Sequence, residues 1–339
     1  MKRFIAEFEE QSFVQIIFPH EQSDWAEYLD EAKENFINII NAIIKHQKCL
    51  VVCDNIADVS GYFQAHKNLY YVEYQSDDTW ARDCSALCIQ NGTDLELLDF
   101  TFTGWGGKFE AHRDNALSKT IAKNYSSPLH SLDFILEGGG VESNAKGLLL
   151  TTAECLLNPN RNNSLSKEQI DTLLQKELGV EKILYLQNGY LAGDDTDSHI
   201  DTLARFIDPQ TIMYVQCQNS TDEHYDALLK MQEELKALAK EYDFTLIALP
   251  MTTPLFYGKE RLPATYANFL MINGAVLVPT YGVYEDTLAL EIFAKAFPSR
   301  EIIGIDCSVL VRQHGSLHCV TMNFAKGVEL NESCCSLEF

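Results

Sequence analysis

Apolar positions recur along this chain with two spacings, and the alternation between them organises it. In "SDWAEYLDEAKENFINIINAIIKH", apolar side chains lie three and four apart behind Ser23, which predicts an amphipathic helix. "SKEQIDTLLQKELG" repeats that spacing between the capping-box pair Ser166 and Gln169 and a closing Gly179. "STDEHYDALLKMQEELKALAKEY" sets Ser220 and Glu223 in the same relation. "EDTLALEIFAKAFP" runs helically up to Pro298, which a helix does not readily pass.

Between these helices the spacing falls to two. Five segments share one plan: a polar residue, an alternating apolar run, a turn of Gly, Pro or Asn, and a second apolar run. They are "RDCSALCIQNGTDLELLDF", "EGGGVESNAKGLLLTTAE", "HIDTLARFIDPQTIMYVQC", "YANFLMINGAVLVPTYG" and "HCVTMNFAKGVELNE", and each reads as a β-hairpin. Their leading residues, Asp83, Glu137, His199, Asn268 and Cys319, recur roughly every 50 to 70 residues. This is a repeat of architecture without a repeat of letters. Any α/β protein offers several hairpins, but five related by rotation would aim two acids, a histidine, an amide and a thiol at one place. No linker divides the chain, so residues 1–339 read as one α/β domain, with 331–339 as a polar tail.

Composition narrows the partners. Lys plus Arg number 26 against 49 Asp plus Glu, a formal charge of −23, so the surface repels phosphate backbones and anionic membranes. Nucleic acid and membrane are therefore not expected partners, whereas a small cation would be attracted. Glu7, Glu9 and Glu10 interrupt any signal-like apolar stretch near the N-terminus. The longest apolar stretch, "NFLMINGAVLVPTYG", is broken by Asn273 and Gly274 and is too short to span a bilayer. A cytoplasmic location is expected, with reduced thiols. The ten cysteines include no pair of CxxC units, which argues against a structural zinc site, and Cys334 and Cys335 read as bystanders. Homo-oligomerisation is left open.

The candidate chemistry starts at Cys319, in "HGSLHCVTMNF". A lone buried thiol is ordinarily a packing group; here the small-residue turn puts it at the start of a strand. His318, its neighbour, would face the opposite side and is a poor base for it. "GDDTDSHIDTLARF" is the better source of one, with His199 and Asp201 two apart on one face of an extended segment. A metal half-site or an Asp-rich capping turn are the other readings, though two ligands make no zinc site and no HExxH helix is present. Asp83 follows Trp80 by three in "DDTWARDCSAL", and Glu137 precedes three glycines that permit close backbone approach. Those glycines are no dinucleotide fingerprint, because GxGxxG is absent. Trp105 in "FTGWGGKF" suits a mobile wall, or an ordinary turn.

Taken together, "FPHEQSDW", "DDTWARD", "FTGWGGKF", "LEGGG", "LLTTAECLLNPNRNNSLSKEQI", "GDDTDSHIDTLARF", "ANFLMINGAVLVPTYG" and "GSLHCVT" resemble, in order and over nearly the whole chain, the family of agmatine deiminases and bacterial-type peptidylarginine deiminases. The resemblance implies a five-bladed, pseudo-symmetric α/β propeller of the pentein type, a single domain around a central active site. It implies a hydrolase acting on a small cationic guanidine, with no metal and no organic cofactor. Carried over residue by residue, it makes Cys319 the nucleophile and His199 the general acid/base. Asp83 and Asp201 match carboxylates that grip the guanidinium, Glu137 a carboxylate near the histidine and the guanidinium, and Trp80 and Trp105 aromatics of the pocket wall. Asp195, four before His199, stands where many agmatine deiminases have a glutamate that holds the distal amine. The chain departs from the family in "QHGSLHC", where "GGGNIHC" is common, and in "RDCSA", where "RDTGP" is common. Neither change touches the catalytic atoms; both bear on the substrate's tail. The reaction implied is agmatine plus water to N-carbamoylputrescine plus ammonia, through a covalent thiouronium intermediate. Deimination of peptidyl or free arginine is the nearest alternative. A cysteine-dependent amide hydrolase is more remote, since the two carboxylates would repel an oxyanion, and a non-catalytic cation-binding module would leave Cys319 without a task.

Overall fold

Five times over, two antiparallel strands are followed by a crossover to a third strand that lies parallel to the second. The computed structural model describes residues 2–331; the expected tail from residue 332 on, with Cys334 and Cys335, lies outside them. In the first unit Leu87–Asn91 pairs with Asp94–Thr101, and helix His112–Ile121 carries the chain to Leu129–Ile135. The second joins Glu142–Ser143, Leu148–Thr152 and Lys182–Leu186 through helix Lys167–Leu178. The third joins Ala204–Asp208, Thr211–Gln216 and Thr245–Pro250 through helix Tyr225–Tyr242. The fourth joins Leu270–Ile272, Ala275–Thr280 and Glu301–Asp306 through helix Glu285–Ala296. Parallel neighbours require such a crossover, which explains the regular alternation of the two apolar spacings. The result is a mixed α/β fold of small separate sheets.

The fifth unit differs from the expectation. "HCVTMNFAKGVELNE" is not a hairpin: Thr321–Ala325 pairs antiparallel with Gln11–Ile17, Thr321 opposite Ile16 and Phe324 opposite Phe13. The reason is burial. Phe13, Val14, Ile16 and Ile17 are wholly buried, so this strand covers apolar surface that the polar "GVELNE" could not. Phe13 and Phe324 stack with centroids 4.4 Å apart. Helix Leu29–Ile44 then leads from Gln11–Ile17 to the parallel strand Lys48–Cys53, and Leu69–Glu73 extends the sheet. That helix buries Ala32, Phe36, Ile39, Ile40 and Ile43, the stripe its spacing predicts.

The helix starts hold two further differences. The Ser166 capping box is formed on both sides, and Gly179 closes its helix at φ 68°. Ser23 caps nothing; its hydroxyl donates to the His20 carbonyl (2.7 Å), and the helix proper begins at Leu29. Nor does Ser220 cap: the helix begins at Tyr225, and Asp222 accepts from the His224 backbone N–H (3.0 Å) while pairing with Arg261 (2.7 Å). An ion pair with a distant strand there overrides the local box. Among the described residues no helix is long and apolar enough to cross a membrane.

Candidate active site

The five leading residues all stand just ahead of the first strand of their units. Asp83 lies in the single turn Ala81–Cys84, Glu137 precedes the 3-10 turn Gly138–Gly140, and His199 precedes the 3-10 turn Ile200–Thr202. His199 and Asp201 therefore do not share a face of an extended segment. The Thr202 hydroxyl donates to the His199 carbonyl (2.8 Å) and helps close the turn instead. Both side chains still converge with Asp83 on one glycine. A Cβ on Gly139 would lie 2.7 Å from His199 Nδ1, 2.9 Å from Asp83 Oδ1 and 3.0 Å from Asp201 Oδ2, so only glycine leaves the cluster room.

Asp83 accepts from the Gly139 backbone N–H (2.9 Å) and from the Trp105 indole (3.0 Å). Asp201 Oδ2 lies 2.7 Å from His318 Nδ1. Cys319 Sγ lies 3.4 Å from Asn268 Oδ1, which also accepts from the backbone N–H of His318 (2.9 Å) and of Cys319 (3.3 Å). His199 Nδ1 is 3.7 Å from Asp83, and Nε2 is 3.9 Å from Glu137. Both imidazole nitrogens and Asp201 Oδ1 are buried without a hydrogen-bond partner. Unsatisfied polar atoms are costly inside a fold. Three of them beside a thiol are what a bound polar ligand would satisfy.

The charges of the site act in opposite directions on its members. Burial, with Asp201 and Asp83 close by, pushes the Cys319 thiol well above its ordinary value. Burial also opposes charge on His199, but Asp83, Cys155 and Glu137 outweigh it and hold the imidazole well above its ordinary value. Asp83 is raised by burial and by Asp201, against His199. Asp201 is lowered in spite of burial, because His318 bonds to it and His199 and Arg205 lie near.

Cys319 and Asp83 line a cavity of about 400 Å³ together with Trp80, Trp105, Asp195 and His314. His199, Asp201 and Glu137 are not among its lining residues and are almost wholly buried. Asp24, Asp78, Asp194 and Glu260 add to the negative wall, and among the described residues no lysine or arginine lines it, although Lys108 Nζ donates to the Asp195 carbonyl (2.6 Å). Burial and Asp194 push Asp195 up to about 6. The Trp80 indole donates to Asp78 (3.0 Å), and its ring lies so close to Gly315 that a Cβ there would meet it at 2.0 Å. Trp105, at φ 56°, is anchored through its bond to Asp83. His314 takes the left-handed backbone (φ 64°) that glycine favours, with Nδ1 2.6 Å from the Gly193 carbonyl.

Several residues of the site carry no sequence signal of their role. Arg161, inside "LLNPNRN", spans both Glu137 oxygens (3.1 and 2.9 Å) and reaches Asp197 (2.7 Å). Glu137, Cys155 and His199 have ligand-type atoms within 4.8 Å of one another. A cation there would share its carboxylate with the Arg161 guanidinium, which already balances it. Glu7 and Arg205 lie behind the cluster, joined to each other at 3.1 Å.

A family profile described as Porphyromonas-type peptidyl-arginine deiminase matches residues 3–324. A C. jejuni agmatine deiminase with a cysteine replaced by serine, solved with substrate bound, is 42% identical; the alignment covers 97% of this chain and 98% of that one, with a TM-score of 0.92. A Porphyromonas gingivalis chain whose name includes arginine deiminase is 46% identical over 97% of this chain and 99% of its own, with a TM-score of 0.93. A Marinomonas sp. (strain MWYL1) protein whose name includes agmatine deiminase is 33% identical over 94% of this chain and 93% of its own.

Proposed function

This chain belongs to the Porphyromonas-type peptidyl-arginine deiminase family, and we propose that it hydrolyses agmatine to N-carbamoylputrescine and ammonia. The observation that carries the reading is the set of unsatisfied atoms on His199 and Asp201, with the Cys319 thiol near Asp201 and a second carboxylate, Asp83, near both His199 and the thiol. A guanidinium is planar, and its paired N–H donors match carboxylates. Asp83 and Asp201 are such a pair. Its central carbon is a weak electrophile, so a soft, strong nucleophile is needed, and Cys319 supplies it.

The thiolate of Cys319 bonds to the guanidinium carbon, and the C=N electron pair moves onto nitrogen. His199, as imidazolium, gives a proton to the departing nitrogen; that C–N bond breaks and ammonia leaves. The thiouronium that remains is attacked by water, whose proton passes to neutral His199. The C–S bond then breaks as the adduct's hydroxyl proton passes to solvent, restoring the thiolate and releasing the ureido product. Glu137, fixed by Arg161, sits behind His199 and favours its charged form. Asp195 with Asp194 suits a distal ammonium, and Trp80 and Trp105 cover the chain between. The substrate-bound C. jejuni relative, with its cysteine replaced, supports a cysteine-dependent step.

The electrostatics make activation depend on substrate. In the empty cavity the carboxylates oppose a thiolate; a bound guanidinium offsets them. The pH at which Cys319 becomes half-reactive toward iodoacetamide is expected to fall by one unit or more, on the order of 1.4 kcal/mol per unit, when an inert guanidinium cation is bound deep enough to leave the sulfur accessible. A thiol already reactive at neutral pH in the free protein, and unmoved by the cation, contradicts this.

Ammonia release from agmatine, free arginine and a blocked arginyl peptide tests the reaction itself. Agmatine is expected to give the highest kcat/KM, and Asp195→Ala to raise the KM for agmatine roughly tenfold, on the scale of one lost charge-assisted contact. The name of the P. gingivalis relative favours arginine as the second reading; fastest release from arginine or the peptide would establish it, and release from none would end the deiminase reading. The same proposal takes the five units as blades around this site and a small cationic guanidine as the substrate, with homo-oligomerisation left open. It takes the location as cytoplasmic, in keeping with eight described cysteines that are all free and buried.

A further inference from the structure

Behind Asp201 runs a row of buried charges to which the proposed reaction gives no task. His318 immediately precedes Cys319 in sequence, yet its ring is bonded elsewhere. Nδ1 lies 2.7 Å from Asp201 Oδ2, and Nε2 lies 2.6 Å from Glu7 Oε2. Glu7 is held in turn by Arg82 (3.0 Å), by Arg205 (3.1 Å) and by the Met271 backbone N–H (2.8 Å). Arg205 also pairs with Glu142 and donates to the Phe269 carbonyl (2.7 Å). The side chains of Glu7, Arg82, Arg205, His318 and Asp201 are all at most 8% exposed.

A bond at each ring nitrogen requires a hydrogen either on that nitrogen or on the facing carboxyl. Against burial, His318, Arg205 and Arg82 hold Glu7 far below the usual carboxylate range, and Asp201 is lowered too. Ionised carboxylates only accept, so both hydrogens belong to the ring. The His318 ring is thus clasped between Asp201 and Glu7, one at each nitrogen. The row sets three acids, Asp201, Glu7 and Glu142, among three basic side chains, His318, Arg82 and Arg205. A buried network of this kind survives only when its members are paired and bonded.

We propose that His318 is a positioning residue: clasped by Glu7, its imidazolium fixes the carboxylate of Asp201 so that the unbonded Oδ1 is presented to the substrate guanidinium. The proposal rests on the functional reading for the identity of that ligand. It explains why the two clamp carboxylates differ. Asp83 accepts from a backbone amide and an indole, whereas Asp201 is bonded to the ring proposed to carry the charge. Asp201 therefore stays a carboxylate when acidification has already begun to neutralise Asp83. The groups that face the Asp201–His318 pair are Glu7, Arg82, Arg205 and Glu142 on one side and His199, Asp83 and Cys319 on the other.

The sign of the pH effect follows. A depressed carboxyl gives up its charge only at low pH; without the charged ring, Asp201 takes a proton nearer neutrality. In Glu7→Gln and His318→Gln, the acid limb of kcat/KM for agmatine is expected to move up by about one unit. KM at neutral pH should rise roughly tenfold, with kcat falling less. A residue that only supports the scaffold would reduce folded protein or kcat without moving that limb. The direct readout is the ¹⁵N spectrum of the His318 ring in the wild-type protein. Two protonated nitrogens at neutral pH are expected, and in Glu7→Gln their loss at a lower pH. A neutral His318 ring in the wild type overturns the proposal even if neither variant folds. So do folded variants with an unmoved acid limb and unchanged KM. Wild-type protein that releases ammonia from no guanidine would sink the functional reading instead, and the nitrogen spectrum would still decide the clasp.

Discussion

Cys319→Ala is expected to abolish ammonia release from agmatine, with a loss on the order of 10⁵-fold or more, while agmatine still binds. The sulfur is the only thiol lining the cavity among the described residues; Cys155, near His199, does not line it. The groups read as holding the guanidinium, Asp83 and Asp201, do not depend on it: their bonds run to Gly139, Trp105 and His318. The Asn268 oxygen keeps its bond to the His318 backbone N–H (2.9 Å), so the turn survives. Losing one buried sulfur costs about 1–2 kcal/mol of stability, which a domain of this size tolerates. Calorimetry with agmatine on the variant, beside single-turnover ammonia release, checks both halves. Turnover within tenfold of wild type would remove Cys319 from the chemistry. A variant that is folded but no longer binds would mean that the carboxylates are not the grip.

His199→Asn is expected to lower kcat roughly 10²- to 10⁴-fold, the range of a lost general acid/base, and to flatten the basic limb of the pH profile. In the wild type the imidazolium is held well above its ordinary value, so it persists through neutrality and is lost as pH rises through that raised value. The same sign applies to stability. The contribution of the charged ring beside Asp83 is present below the ordinary histidine value and disappears in alkali. Asparagine keeps a side chain among Asp83, Glu137 and Cys155 but carries no proton to give. Full pH–rate profiles of both proteins test this. A variant whose basic limb still coincides with that of wild type would assign that limb, and the proton transfer, to another group.

What the sequence discloses follows from how far apart the interacting residues lie. The alternation of spacings names four of the five crossover helices, missing His112–Ile121, and four of the five strand pairs, because each is settled within about twenty residues. It misreads the last pair, since nothing near Thr321 tells that the largely buried strand of residues 11–17 will take its edge. The same distance hides the supporting charges. Glu7 looks like part of an acidic surface run, and only the fold brings Arg82, Arg205 and His318 around it. The chemistry-bearing residues are easier to find because each stands at the head of an apolar run. Their local conformation is not: His199 and Asp201 meet through a 3-10 turn, where alternation suggested a strand. Asp222 gives the converse case, a long-range ion pair cancelling a capping box that is plain in the letters.

The strand pair made from opposite ends of the chain also sets an order of events during synthesis. Ile16 must wait for Thr321, and at ribosomal rates that interval is on the order of tens of seconds. Throughout it, "SFVQII" has one flank open, an edge of the kind that invites wrong pairing. Cys319 arrives in the same stretch of chain that finally covers this edge. A nascent or prematurely ended polypeptide therefore holds neither the nucleophile nor a finished sheet, and reactivity appears only when the whole chain has been made.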